Sequence, residues 1–271
     1  MLYSIKNIGR APAKGWYIFM AKKIRVTVWN EYRHEVNDPR VAEIYPKGIH
    51  GCIKDILDEC DDLEVRTATL DEPEHGLTDE VLNSTDVLIW WGHMSHNAVR
   101  DDIVAKIKER VYRHGMGFFA VHSGHHSKPF RAIVGTTGDL YWGADQQEIV
   151  WNILPQHPIA KGVPRRFELF EEMYGEPFCI PQPDELIFSS WYEKGNIFRS
   201  GCTFYRGRGK VFYFQPGHEF CRSFYNKHVQ TIIKNAVHWL HTELDDDNKD
   251  LSCPHQIESV LDELKREKEE N

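Results

Sequence analysis

Residues 24–121 alternate short apolar runs with amphipathic segments, and few architectures accommodate that alternation. The runs at 24–29, 63–70, 86–91 and 117–121 are rich in β-branched and aromatic residues and end at turn formers, so they read as strands. Between them Ile49, Ile53, Ile56 and Leu57, then Val99, Ile103, Ile107 and Val111, recur at helical spacing, while residues 30–45 read as a long loop and Thr78 as the cap of a short helix. Strands that alternate with helices pair in parallel and carry helices on both faces. The expected fold is a flavodoxin-like, doubly wound α/β sheet, mostly parallel. Past Gly135 the period shortens. Residues 148–154, 167–170, 185–191, 197–205 and 210–214 read as strands with short connections, so hairpins are expected there before a closing helix at 226–241.

This pattern places one α/β domain over residues 20–242. Residues 1–19 mix Lys6, Arg10 and Lys14 with a weak apolar patch, and are expected to be a poorly ordered extension or to precede the natural start. Residues 243–271 read as an acidic linker followed by a helix from Pro254, with Ile257, Val260, Leu261 and Leu264 on one face. That stripe is expected to pack onto the body or onto a second copy, as in a homo-oligomer.

Composition removes several function classes. The net charge is −8, and residues 242–271 carry 11 acids against 4 bases, which does not suit a nucleic-acid surface. No apolar run approaches the roughly 18 residues of a membrane span. Six scattered cysteines without a C-x-x-C pair or an evident secretion signal read as free thiols of a cytoplasmic protein. Gly135–Thr136–Thr137–Gly138–Asp139 lacks the Lys of a phosphate loop and reads as a turn, so no nucleotide cofactor is expected.

The chemistry-bearing residues lie just past the strands. In a parallel sheet these ends share one edge, and open α/β sheets bind ligands there. The first strand is followed by His34, the third by His93 and His96, and the fourth by His122 with His125 and His126 behind it. The last strand leads into Gln215–Pro216–Gly217–His218–Glu219, where a carboxylate beside an imidazole can fix its tautomer and raise its basicity. Glu172 and Tyr174 alternate along a strand and are expected to point together. A lone histidine is more often a packing or surface residue; it is the shared edge that suggests function.

Two chemistries suit such a set. Neutral imidazoles with a carboxylate ligate zinc or another divalent transition metal. Alternatively, His and Glu act as base and acid beside a carbonyl without a metal. Ser123 does not read as a nucleophile, because a G-x-S-x-G elbow needs glycine where Val121 and His125 stand. Tyr141, Trp142, Trp90, Trp91 and Tyr174 offer aromatic faces that suit a sugar, with core packing the simpler reading for Trp90.

These residues also carry a family resemblance. From residue 24 to about 240 the chain resembles the trehalose-utilization, ThuA-like proteins, a branch of the class I glutamine amidotransferase-like fold. The resemblance rests on the strand-end histidine within 117–123, on Glu171–Glu172–Met173–Tyr174 in place of the family's D-E-L-Y, and on Gly217–His218 after a late strand. It implies a role in disaccharide or related carbohydrate use, with oxidised keto-sugars among the candidate substrates. In glutamine amidotransferases a cysteine occupies the elbow and a late His and Glu complete a triad. Here His122 falls at or beside the cysteine position and His218–Glu219 where the late pair falls, so glutaminase chemistry is not expected without the thiol. The expectation is an enzyme acting on a sugar or keto-sugar. His122 and His218 would be its acid–base residues, with Glu219 orienting His218; His34, His93, His96, Glu172 and Tyr174 would line the pocket. In the metal form, His93, His122 and His218 would be the ligands. The rival expectation is a non-catalytic sugar-binding or regulatory module on an amidotransferase-like scaffold.

Overall fold

The computed structural model describes residues 22–243, together with residues 265, 266, 268 and 269. Four strands, β1 (Ile24–Asn30), β2 (Leu63–Thr69), β3 (Val87–Trp91) and β4 (Gly117–Val121), pair in parallel in the order β2-β1-β3-β4. A late strand, β9 (Gly209–Phe214), adds to β4 in parallel. Beyond it the sheet continues antiparallel through β8 (Ile197–Arg206), β7 (Glu185–Tyr192), β5 (Tyr141–Asn152) and β6 (Arg166–Gly175), giving nine strands in all.

The parallel half is covered on both faces. Helices α3 (Gly48–Leu57) and α7 (Lys227–Leu240) pack Ile49, Ile53, Val229 and Ile233 against one side. Helices α5 (Asp101–His114) and α6 (Lys128–Val134) pack Ile103, Ile107, Phe130 and Ile133 against the other. Because both faces are covered, β3 and β4 are buried throughout, which is why they read as continuous apolar runs rather than alternating ones. Gly115 ends α5 in the left-handed region, with its N–H on the Arg110 carbonyl, so the chain can turn at once into β4.

Two local readings need correction. The segment 30–45, read as a long loop, contains two short helices, α1 (His34–Asn37) and α2 (Pro39–Ile44). The side chain of Asp38 caps α2 by accepting from the Arg40 N–H, and Pro39 fits its first turn. Strands β5 and β6 are also longer than the apolar pattern suggested. Their added residues, 141–147 of β5 and 171–175 of β6, mix aromatic, acidic and glycine positions and gain strand geometry from pairing with one another. One further helix, α4 (Asp79–Asn83), is capped by Thr78 as its sequence suggests.

Among the described residues no helix is long and apolar enough to cross a membrane. Cys52, Cys60, Cys179, Cys202 and Cys221 are free thiols. The expectations for residues 1–19, for the acidic linker, for the apolar stripe at 257–264 and for an oligomer built on it lie outside the described residues, as does Cys253.

Candidate functional site

The site forms where the C-terminal ends of the parallel strands meet β6. His122 follows β4 directly and adopts φ +52°, a left-handed backbone that costs a non-glycine residue of order 1–3 kcal/mol. This is the conformation of a strand-to-helix elbow, which lifts its side chain clear of the sheet. Gly217 faces it with φ +142°; a Cβ there would sit 2.9 Å from Phe224 and 3.5 Å from the His122 Cβ. Only glycine lets the turn after β9 approach the elbow so closely. The Gly217 carbonyl in turn accepts from the Trp91 indole at 2.9 Å.

His122 is fully buried. Its Nδ1 lies 2.9 Å from the Gln215 carbonyl, which can only accept, so Nδ1 carries the proton. Nε2 is then turned to Glu172 Oε2 at 3.2 Å and the Tyr174 hydroxyl at 3.3 Å. Tyr174 also hydrogen-bonds Ser123 at 3.0 Å. Burial works to raise the Glu172 carboxyl, but once His122 is doubly protonated its Nε2–H donates to the carboxylate and, with the charge of His122, His218 and His93, holds the group below its ordinary value. Burial pushes the Tyr174 phenol well up, so it stays protonated.

His218 and Glu219 come from the turn after β9. His218 Nδ1 meets Asp145 Oδ1 at 3.2 Å, and Nε2 stands 3.5 Å from Glu219 Oε1. Burial would depress the imidazole, yet the hydrogen bond and attraction of Glu219 dominate and push it up to about 9. The same Glu219 oxygen lies 3.1 Å from His93 Nδ1 and 3.5 Å from His34 Nδ1. Burial works to raise the Glu219 carboxyl, but His218 and His93 hold it far below the usual range. Burial lowers His34, whereas in His93 the same penalty is outweighed by Glu219 and the group is raised.

His34, His93, His122, His218, Glu219, Glu172 and Tyr174 thus converge in one cluster at this sheet edge. His96 does not join them: its ring pairs with His126 at 6.2 Å, and burial lowers it to about 4. His125 is a satisfied core residue bonded to the Gly138 carbonyl at 2.6 Å. Of the aromatic set, Trp90 and Trp91 are core, and Trp90 stacks on Trp29 with centroids 3.7 Å apart. Tyr141 and Trp142 are exposed.

Several further residues hold this geometry, and of these the sequence marked only Glu171, as part of the 171–174 block. Glu171 is fully buried and accepts from Gly217 N, His218 N and the Ser223 hydroxyl, so it fixes the turn that carries His218. Glu31 accepts from Met94 N and Ser95 N, each at 2.9 Å, and fixes the turn after His93. Asp145 reaches His218 beside a bulge between Gly143 and Asp145, where the β5–β6 register shifts. Behind the pocket, Glu148 bonds the Ser190 hydroxyl and is pushed up to about 8, mainly by burial and then by Glu171. Two groups of side chains could hold a metal ion: His34 with His93 and Glu219, and His122 with Glu172 and His218. A third, Asp145 with His218 and Cys221, overlaps the second.

A doubly wound sheet with a histidine at its elbow and a His–Glu turn after a late strand defines an amidotransferase-like scaffold without the thiol. The chain belongs to the ThuA family, described as trehalose utilisation, whose model matches residues 25–240. A ThuA-like protein of Parabacteroides merdae superposes with a TM-score of 0.63 at 14% identity, over 81% of this chain and 90% of that one. A cytoplasmic protein of Salmonella typhimurium gives 0.55 at 11% identity, over 81% and 100%. A glutamine amidotransferase of Thermotoga maritima gives 0.50 at 13%, over 80% and 97%. At these identities the likeness concerns the fold. No curated protein matches the chain.

Proposed function

We propose that this protein is an enzyme of carbohydrate catabolism that moves a proton on a sugar or keto-sugar. The observation that carries the reading is the elbow imidazole: Gln215 fixes its tautomer, and Nε2 faces a carboxylate and a phenol in a buried site. A base within hydrogen-bond reach of an acid pair is what removal of a proton beside a carbonyl requires. His122 acts as the base, Tyr174 supplies a hydrogen bond to the developing oxyanion, and Glu172 steadies the imidazolium. His218, held between Asp145 and Glu219, is the proton donor. Family membership supports a carbohydrate as the substrate class. The free thiols and the description of the Salmonella neighbour support a cytoplasmic setting.

A metal-assisted form draws on the same residues, with a divalent ion such as zinc near His93, His122 and His218. Of the expected ligands, His122 and His218 fall in one group, with Glu172 within 4.8 Å, whereas His93 groups instead with His34 and Glu219. The test is turnover of 3-keto-disaccharides and their parent sugars by the wild type, His122→Ala and His218→Ala. Full turnover by either folded variant sinks the assignment. Sugar binding that survives both substitutions, with no turnover by the wild type, returns the site to a binding module.

A further inference from the structure

Glu219 is surrounded in a way that proton transfer alone does not require. Its Oε1 faces nitrogens of His34, His93 and His218, while its Oε2 is buried with no hydrogen-bond partner. His34 Nε2 and His93 Nδ1 stand only 2.8 Å apart. Between those two nitrogens a single proton can be shared, so one presents a bare lone pair to the other ring or to the pocket. Two imidazoles and a buried carboxylate with spare acceptor capacity are the donors of a cation site.

We infer that His34, His93 and Glu219 hold one divalent transition-metal ion, with coordination positions left open for water or substrate. One ligand atom from each residue lies within 4.8 Å of the others. The closest pairs are His34 Nε2 to His93 Nδ1 at 2.8 Å and His93 Nδ1 to Glu219 Oε1 at 3.1 Å. Around an ion with ligand bonds of about 2.0–2.2 Å, adjacent donors stand roughly 3 Å apart. These pairs are already at coordination spacing. Two histidines and one carboxylate with open positions suit zinc or iron(II).

The surroundings favour this set over the one built on His122. The nitrogens of His122 are committed, Nδ1 to the Gln215 carbonyl and Nε2 to Glu172 and Tyr174. The supports of the other set are built for orientation. Glu31 ties down the turn after His93, and Glu35, which accepts from Asn30 Nδ2 at 2.6 Å and Ile49 N at 2.8 Å, ties down the segment that carries His34. Outer-shell carboxylates of this kind orient metal ligands. The inference rests on the sugar-enzyme reading only for the role of the ion, which is to polarise a substrate oxygen beside the His122–Glu172 pair.

The test is titration of chelator-treated full-length protein with cobalt(II), followed by its visible d–d absorption and by calorimetry, with zinc as competitor. One tight equivalent is expected. His34→Gln and His93→Gln, both at partly exposed positions, should each weaken it by more than about 100-fold, and Glu31→Gln by about tenfold, the scale of outer-shell changes. His122→Asn, which tolerates the left-handed backbone, should leave affinity within about threefold. Circular dichroism confirms that each variant is folded. Cobalt bound equally by wild type and the His34→Gln/His93→Gln double variant overturns the inference, as does loss of binding in His122→Asn as large as in His93→Gln. Full keto-sugar turnover by metal-free wild type overturns the role given to the ion while leaving the acid–base reading intact. If cobalt binds as expected but no sugar is turned over, the site stands and the sugar reading fails.

Discussion

The two halves of the sheet make different contributions to one pocket. The parallel half supplies imidazoles: His34 after β1, His93 after β3 and His122 after β4. The antiparallel half supplies acids and a phenol, with Asp145 on β5 and Glu171, Glu172 and Tyr174 on β6. His218 and Glu219 follow β9, the strand that pairs in parallel on one side and antiparallel on the other. Parallel topology gathers bases at one edge by its own geometry. Glu171 and Glu172 arrive only because β6 at the far end of the sheet is brought back over that edge, as the Glu172–His122 and Glu171–Gly217 contacts record. Neither half alone could tune a proton transfer.

The strongest challenge to this division is to remove an imidazole of the parallel half and the one that follows the shared strand β9. His122→Ala and His218→Ala should each lower kcat on a keto-sugar by about 100- to 10,000-fold, the usual range for general acid–base residues. A loss confined to one of them, measured under saturating substrate, would sink the pairing of base and donor across β9. Removing a structural acid tests the other side. Glu171→Ala strands the N–H groups of Gly217 and His218 and the Ser223 hydroxyl. It should lower unfolding free energy by about 3 kcal/mol in urea titration. Unchanged stability would mean that the turn is held without β6.

The pH dependence of stability separates the halves further. Glu148 is an acid raised in the folded state to about 8, so its contribution is present below its unfolded value and is lost as pH rises through about 8. Stability should therefore fall on the order of 2 kcal/mol from about pH 6 to pH 8. Glu148→Gln should flatten that slope, as read from unfolding midpoints across the range. The smallest effect is expected from Tyr174→Phe, which deletes only the hydroxyl bonded to Ser123 and near His122. It should lower kcat about tenfold, or roughly 1.4 kcal/mol. A change in KM alone would make Tyr174 a binding residue.

How far the site could be read in advance follows the same division. The imidazoles were legible because a strand-end position in a parallel sheet fixes the edge on which a residue lies, whatever the intervening loops do. His96, His125 and His126 sit within a few residues of pocket members and still fall outside, since a turn of three residues is enough to point a side chain elsewhere. Glu172 and Tyr174 were legible as a pair from strand alternation, but their meeting with His122 was not. Asp145 and Glu31 carried no local signal, and Glu171 and Gln215, though they stand in the quoted motifs, gave no sign of what they hold. Their roles depend on a bulge, on the return of β6 and on backbone groups with which they share no sequence neighbourhood.

By itself the sequence determined the strand–helix alternation, the parallel core that follows from it and the edge on which the histidines stand. It also determined that no thiol occupies the elbow, since His122 stands there. Only the tertiary structure decided which acids meet which imidazoles, and that Glu219 faces three of them through one oxygen. The reason is physical. Periodicity reports how a segment buries its own faces, whereas distances of about 3 Å between groups far apart in sequence are set by the curvature and register of the whole sheet.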